Sequence, residues 1–207
     1  MPGRKKGELE QPFDYELAHA ELVRTMQAIH SSRIDELPRI ALYLDQVLSI
    51  VSSELAPLYE PGEKIVTGSM VNNYVKHHVM PAPVRKRYTR RHLASLLFVC
   101  ALKRVLSIAQ VAQLLEMCRE AQIDLPLAYD SMCDGLEQML SAYFADVSDV
   151  PVPRLQLIDA EGQPVTGQLE ALLRSSLGLV ANRVYVEKLL ALEARRPHTE
   201  AAEKENQ

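Results

Sequence analysis

SMVNNYVKHHVM (residues 69–80), PAP (81–83), VRKRYT (84–89) and RRHLASLLFVCALKRVL (90–106) run on without a break, and their reading sets that of the whole chain. Val71, Tyr74, Val75 and Val79 recur at helical intervals, so the first piece reads as a short helix with one apolar side. Its other side carries Ser69, Asn72, Asn73, Lys76 and His77. Each of these can hydrogen-bond and none is acidic. Pro81 and Pro83 stop the helix and stiffen its exit. A basic stretch and a long apolar helix follow.

The surrounding charge is distributed unevenly. Between Lys64 and Leu115 there are nine lysines and arginines and no aspartate or glutamate, whereas the rest of the 207 residues holds 14 basic and 27 acidic residues. A chain of net charge −4 therefore contains a strongly positive segment, and such asymmetry points to an anionic partner where the net charge does not. Arg85, Lys86 and Arg87 are adjacent and repel one another unless solvated or paired with an anion, and the sequence offers no local carboxylate. Arg90 and Arg91 stand at the start of the next helix, where the dipole favours anions over cations. A bound phosphate accounts for them; local helix stability does not.

A polar face alone is ordinary for a surface helix. Beside a cationic strand it takes on a chemistry. Asparagine can pair bidentately with adenine in the major groove, and lysine can reach guanine or phosphate. Phosphate contacts orient a protein on duplex DNA and base contacts specify the sequence. On this reading Ser69, Asn72, Asn73, Lys76 and His77 read bases. Arg85, Lys86, Arg87, Arg90 and Arg91 hold phosphates, and Tyr74 and Tyr88 brace the assembly against the core.

Working outward, residues 14–30 form a first helix, with Ala18, Leu22, Met26 and Ile29 on one stripe. Leu37, Ile40, Ala41, Leu44, Val47, Leu48, Val51 and Leu55 predict a second helix over 37–55, with Pro38 in its first turn. A basic helix-turn-helix region spans 65–117. Within it, Ser107 caps a helix whose apolar face is Ile108, Val111, Leu114 and Leu115. A helix over 127–144 comes next. RLQLID and QPVT alternate about Ala-Glu-Gly and predict a small β-hairpin near 154–166. Helical periodicity returns from Leu169 to Leu192. There Leu169, Leu172, Leu173, Leu177, Val180 and Val184 form a stripe, extended by Leu189 and Leu190, that either joins two copies into a homodimer or packs on the molecule's own core. The division is thus a mobile N-terminus (1–12), a helical DNA-binding domain (13–117), a helical C-terminal region (118–194) for dimerisation or an effector, and a mobile tail (195–207).

No apolar run approaches the length of a membrane span, and no apolar segment follows the basic start, so neither a membrane nor a secretory route is expected. Cys100, Cys118 and Cys133 are odd in number without a CxxC pair and read as reduced thiols of a cytoplasmic protein. His77 and His78 point about 100° apart on a helix, and with His92 and Cys100 they lack metal-ligand spacing, so no metal or cofactor is expected. Glycine-rich phosphate loops and the usual catalytic motifs are absent, so an enzyme is not expected either.

Tyr74, Val79-Met80-Pro81, Arg87-Tyr88-Thr89 and His92-Leu93 resemble the MerR-type winged helix-turn-helix, which has a Tyr, a Gly-Leu-Leu-Pro exit, an Arg-x-Tyr-Ser/Thr wing end and an Asp/His-Leu helix start. Lys103 to Val111 is similar to the MerR stretch in which one helix ends and a Ser-capped helix begins. Over roughly residues 35–190 the chain also resembles an uncharacterised bacterial family typified by the YkrK protein, through Leu37–Val47, Met70–Lys76 and Lys86–Leu93. These resemblances imply a mainly α protein with a MerR-like winged helix-turn-helix core and flanking helices. The function they imply is that of a bacterial transcriptional regulator binding double-stranded DNA. The alternative is a helical adaptor that binds an acidic protein partner through the same basic face. Operator and effector ligand are not legible.

Overall fold

The computed structural model describes residues 13–145 and 152–196; the expectations for residues 1–12 and for the tail beyond 196 lie outside them. Polar caps set most helix starts. α1 (Tyr15–Gln27) begins where the Asp14 carboxylate accepts the Leu17 amide at 3.0 Å. α2 (Leu44–Leu55) runs into a 3₁₀ turn at Ala56–Leu58. α3 (Gly68–Lys76) is capped by Thr67, whose hydroxyl accepts the Met70 amide at 3.2 Å. α4 (Arg90–Leu102) follows a tight turn at 84–87. α5 (Ile108–Glu120) opens on the reciprocal bonds of Ser107 and Gln110, at 3.2 and 2.8 Å. α6 (Leu125–Phe144) is capped by Asp124 with Pro126 in its first turn, and α7 (Gln168–Glu193) is the longest.

α4 is the apolar axis, with Leu93, Leu96, Val99 and Leu102 fully buried. α2 lies against it through Val47 and Val51, and α3 packs on α2. α6 and α7 form the most extensive helix pair; α1 rests on both, and α5 touches α7. One apolar core runs through all of these, from Met26 to Val184. Gly135 permits Leu155 to approach α6 closely. A methyl group there would stand 3.0 Å from Leu155 Cδ2.

The fold departs from the sequence reading in four places. The second helix starts at Leu44, not Leu37, because Leu42 is used in an antiparallel bridge to Tyr88, with N–H···O distances of 2.8 and 2.9 Å. The reading helix ends at Lys76, not Met80. His78 takes a left-handed conformation (φ 57°), the His78 amide bonds to Val75 O and the Val79 amide to Tyr74 O, which closes the helix in a Schellman motif.

The third departure is the expected hairpin at 154–166, where no strand forms. Pairing there is limited to isolated bridges at Ile158–Pro164 and Ile123–Asp159. Leu155 and Leu157 are drawn into the core, and the Leu155 and Gln156 amides bond to the Glu170 carboxylate and the Ser131 hydroxyl rather than to a partner strand. The fourth concerns the dimer reading of α7. Leu169, Leu173, Leu177, Val180 and Val184, read as a dimer stripe or as core, are buried in the molecule's own core beside α6. Leu172, Leu179, Val186 and Leu190 instead stay between 40% and 64% exposed.

The segment between α1 and α2 is fastened to α6 by polar contacts. Arg33 donates to Glu137 with both Nη atoms at 2.7 Å, to Asp134 from Nε at 3.1 Å, and to the Ser31 carbonyl. Asp130 accepts the Ile34 amide at 2.7 Å, and the Tyr129 hydroxyl donates to Ser32 O at 2.9 Å. These carboxylates on α6 position the chain that leads into α2.

Candidate nucleic-acid interface

α3 turns Val71 and Tyr74 into the core, and as a consequence of the helical period Ser69, Asn72, Asn73, Lys76 and His77 all lie on its outer side. Ser69 Oγ lies 3.1 Å from Thr67 Oγ1. Among the described residues no carboxylate pairs with Lys76. Apart from Ser69, the face is therefore a row of donors and acceptors without side-chain partners among the described residues.

The chain leaves α3 through the buried Val79 and Met80 and, past the prolines, folds into a turn closed by the Arg87 amide on Val84 O at 2.9 Å. Arg85 (φ 50°) and Lys86 (φ 61°) both sit in the left-handed region. Two successive left-handed residues define a type I′ turn, which Asn-Gly favours and bulky cations do not. Backbone strain of this sort is concentrated at functional positions. Both side chains are exposed, and among the described residues neither has an acidic partner.

The other basic residues divide. Arg87 is committed: its guanidinium lies 3.5 Å over the Tyr43 ring and donates to Tyr43 Oη at 2.7 Å and Ala41 O at 3.3 Å. Arg90 pairs with Asp35 at 2.9 Å, while its Nε and Nη2 have no partner among the described residues. Arg91 is exposed and borders an apolar hollow between α4 and α6 lined by Ile34, Phe98 and Met132. Among the described residues Arg85, Lys86 and Arg91 thus stay open, while Arg87 and Arg90 fasten the turn and α4 to the segment before α2.

Tyr74 and Tyr88 are buried, and burial pushes both phenols up. Tyr88 bridges to Leu42 and meets the His92 ring edge-on at 5.8 Å between centroids. His92 is a joint between the prolines and α4. Its Nδ1 accepts the Thr89 amide at 3.1 Å and its Nε2 donates to Ala82 O at 3.2 Å, tying the prolines to α4. The spacing Thr89-x-x-His92 is that of a capping box with histidine in the glutamate position, and it is the local signal for this role. No local pattern shows Tyr43 under Arg87 or Asp35 beside Arg90. All three cysteines are free and buried, and burial lifts Cys100 to about 12, Cys118 to about 11 and Cys133 to about 12, so none supplies a thiolate nucleophile.

Residues 32–132 match the family model of a domain of unknown function (DUF1836). The matched stretch contains α2, α3, the 84–87 turn, α4 and α5. Comparisons with curated proteins and with solved structures returned no match. No helix among the described residues is long and apolar enough to cross a membrane.

Proposed function

We propose that the protein is a sequence-specific duplex-DNA-binding regulator with a MerR-like winged helix-turn-helix, in which α3 reads bases and the 84–87 turn is a minimal wing. The observation that carries this is the pairing of two features. One is a helix face of Asn, Lys and His side chains that have no side-chain partners among the described residues. The other is a strained turn that presents Arg85 and Lys86 without acidic partners among the described residues. Two further points favour the resemblance. His78 is left-handed where the MerR pattern has glycine, and Tyr88 closes the turn onto Leu42 where that pattern ends its wing. The test is selection of bound duplexes from a random pool. A consensus should emerge with Asn73→Ala and Lys76→Ala altering base preference, each good contact contributing about 1–3 kcal/mol. Recovery of no enriched sequence, with weak binding equal for all duplexes, would sink the proposal.

A homodimer through α7 belongs to the same proposal. Leu172, Leu179 and Val186 recur every seven residues on the exposed side, and Leu190 extends the row. Seven-residue spacing is that of a helix seam between copies. Light scattering at micromolar concentration should give twice the chain mass, and Leu179→Glu with Val186→Glu should halve it. A wild-type monomer under these conditions would rule the dimer out.

A further inference from the structure

Residues 59–67 connect the 3₁₀ turn after α2 to α3. Tyr59 at the start and Ile65 and Val66 near the end pack on the apolar core, but Glu60, Pro61, Gly62, Glu63 and Lys64 between them do not. Pro61, Gly62, Glu63 and Lys64 are exposed. The Glu63 amide donates to Glu60 O at 3.1 Å and the Glu60 amide to Glu63 Oε2 at 3.0 Å, which closes a turn. Such a turn has no apolar burial of its own to fix it to the rest of the fold, so polar contacts decide its position.

α7 supplies those contacts, directly and through Arg104. Lys188 donates to Tyr59 O at 2.5 Å and pairs with Glu60 at 3.0 Å. Arg104, just after α4, lies 4.1 Å over the Tyr59 ring, stands 3.7 Å from Glu63 and is paired with Glu187. Arg183 completes the set: it donates to Arg104 O and pairs with Glu187 at 2.6 Å. The Arg104 side chain is 3% exposed and that of Lys188 16%, so these pairs are screened far less than pairs on open surface.

We propose that these contacts are a regulatory latch, in which Arg183, Glu187 and Lys188 of α7 hold the 59–67 connector and through it seat α3. The connector ends at Thr67, whose hydroxyl caps α3, so a shift of the connector is a shift of the cap. Energetic coupling between distant elements is carried by packed side chains and ion-pair networks of this kind. The latch can be reached from outside. By the helical period Arg183 and Glu187 stand between the buried stripe of α7 and its exposed row of Leu179, Val186 and Leu190, so a surface seated on that row meets them. The inference rests on the contacts themselves and on neither the DNA reading nor the dimer.

Hydrogen exchange of the full-length protein, resolved by peptide in a mass spectrometer, tests it. Glu187→Gln and Lys188→Met remove latch charges at nearly constant side-chain size. Each should speed exchange about 10-fold in both 59–67 and α3, the effect of one hydrogen bond to a charged group, and leave α6 unchanged. Arg174→Met, which removes the pair with Glu170 at the other end of α7, should alter neither 59–67 nor α3. Exchange in α3 that stays unaltered in both latch variants would overturn the proposal, because the contacts would then hold the connector alone. So would a rise of equal size in every helix, or an equal rise in α3 from Arg174→Met, since α7 would then act only through general stability. No DNA is present in the measurement, so its failure and that of the DNA reading are separate results.

Discussion

Replacing Arg85 by Asn and Lys86 by Gly together is expected to leave the fold as stable as before or more so, and to weaken duplex binding about 60-fold at about 0.1 M salt. The two effects have separate causes. At φ 50° and 61° both residues are held where an L side chain is disfavoured by about 1–2 kcal/mol. Asn-Gly is the favoured pair for a type I′ turn, so the exchange relieves strain while keeping the Val84–Arg87 bond. The melting temperature should rise by about 2–4 °C for each kcal/mol recovered. Under the proposed DNA reading, the same exchange removes two phosphate contacts. Each contact contributes about 0.9 to the slope of log K against log salt, so the slope should become shallower by about 1.8 while base preference is retained. A melting curve and a salt titration on one preparation read both effects. An unchanged salt slope would show that the turn does not touch phosphate.

Arg33→Ala is expected to destabilise the protein by about 2–4 kcal/mol, because it removes one partner of a largely enclosed ion pair and leaves the other without its counter-charge. Arg33 and Glu137 are 22% and 20% exposed, which places the loss below that of a fully buried pair. Glu137 would keep the Ser31 amide at 2.6 Å and the His30 ring at 3.7 Å, and Asp134 would lose its guanidinium. The lost contacts hold the segment that leads to Asp35 and Leu42, so the position of Arg90 and the turn depends on them too.

The same pair sets an acid limit. Burial pushes the Glu137 carboxyl up, but the Arg33 guanidinium and the Ser31 amide outweigh it, and the net shift is downward. A carboxyl lowered in the folded state contributes stability that is fully present above its unfolded value, about pH 4.3, and is lost as pH falls through the folded value. Urea unfolding of the parent should therefore weaken below about pH 4.3, and Glu137→Gln should flatten that dependence. A parent and variant with identical acid profiles would assign the acid sensitivity elsewhere.

Much of the helical organisation is legible in the amino-acid order. Ser107 caps a helix because its short polar side chain reaches an amide three residues on, an interaction confined to a few neighbouring positions. The polar outer face of α3 follows from the same helical period that buries Val71 and Tyr74. α5, α6 and α7 are legible within a few residues of their ends for the same reason.

The departures from that reading all involve a partner distant in sequence. Leu42 fits a helical stripe and is extended because Tyr88 pairs with it. Leu155 and Leu157 alternate like a strand and are taken by the core instead. Five arginines and lysines read as equally free, yet Tyr43 and Asp35 hold two of them.

Periodicity, capping and charge are local properties of the chain. They are enough to specify which segments are helical, where the acid-free basic stretch lies, and which side chains line the outer face of α3. Folding in three dimensions settles the rest: which apolar stripe of α7 is buried, which cations stay open, and that Arg85 and Lys86 occupy a left-handed turn. Each of these depends on which surface or carboxylate the fold brings alongside, and that pairing has no signature within a window of neighbouring residues.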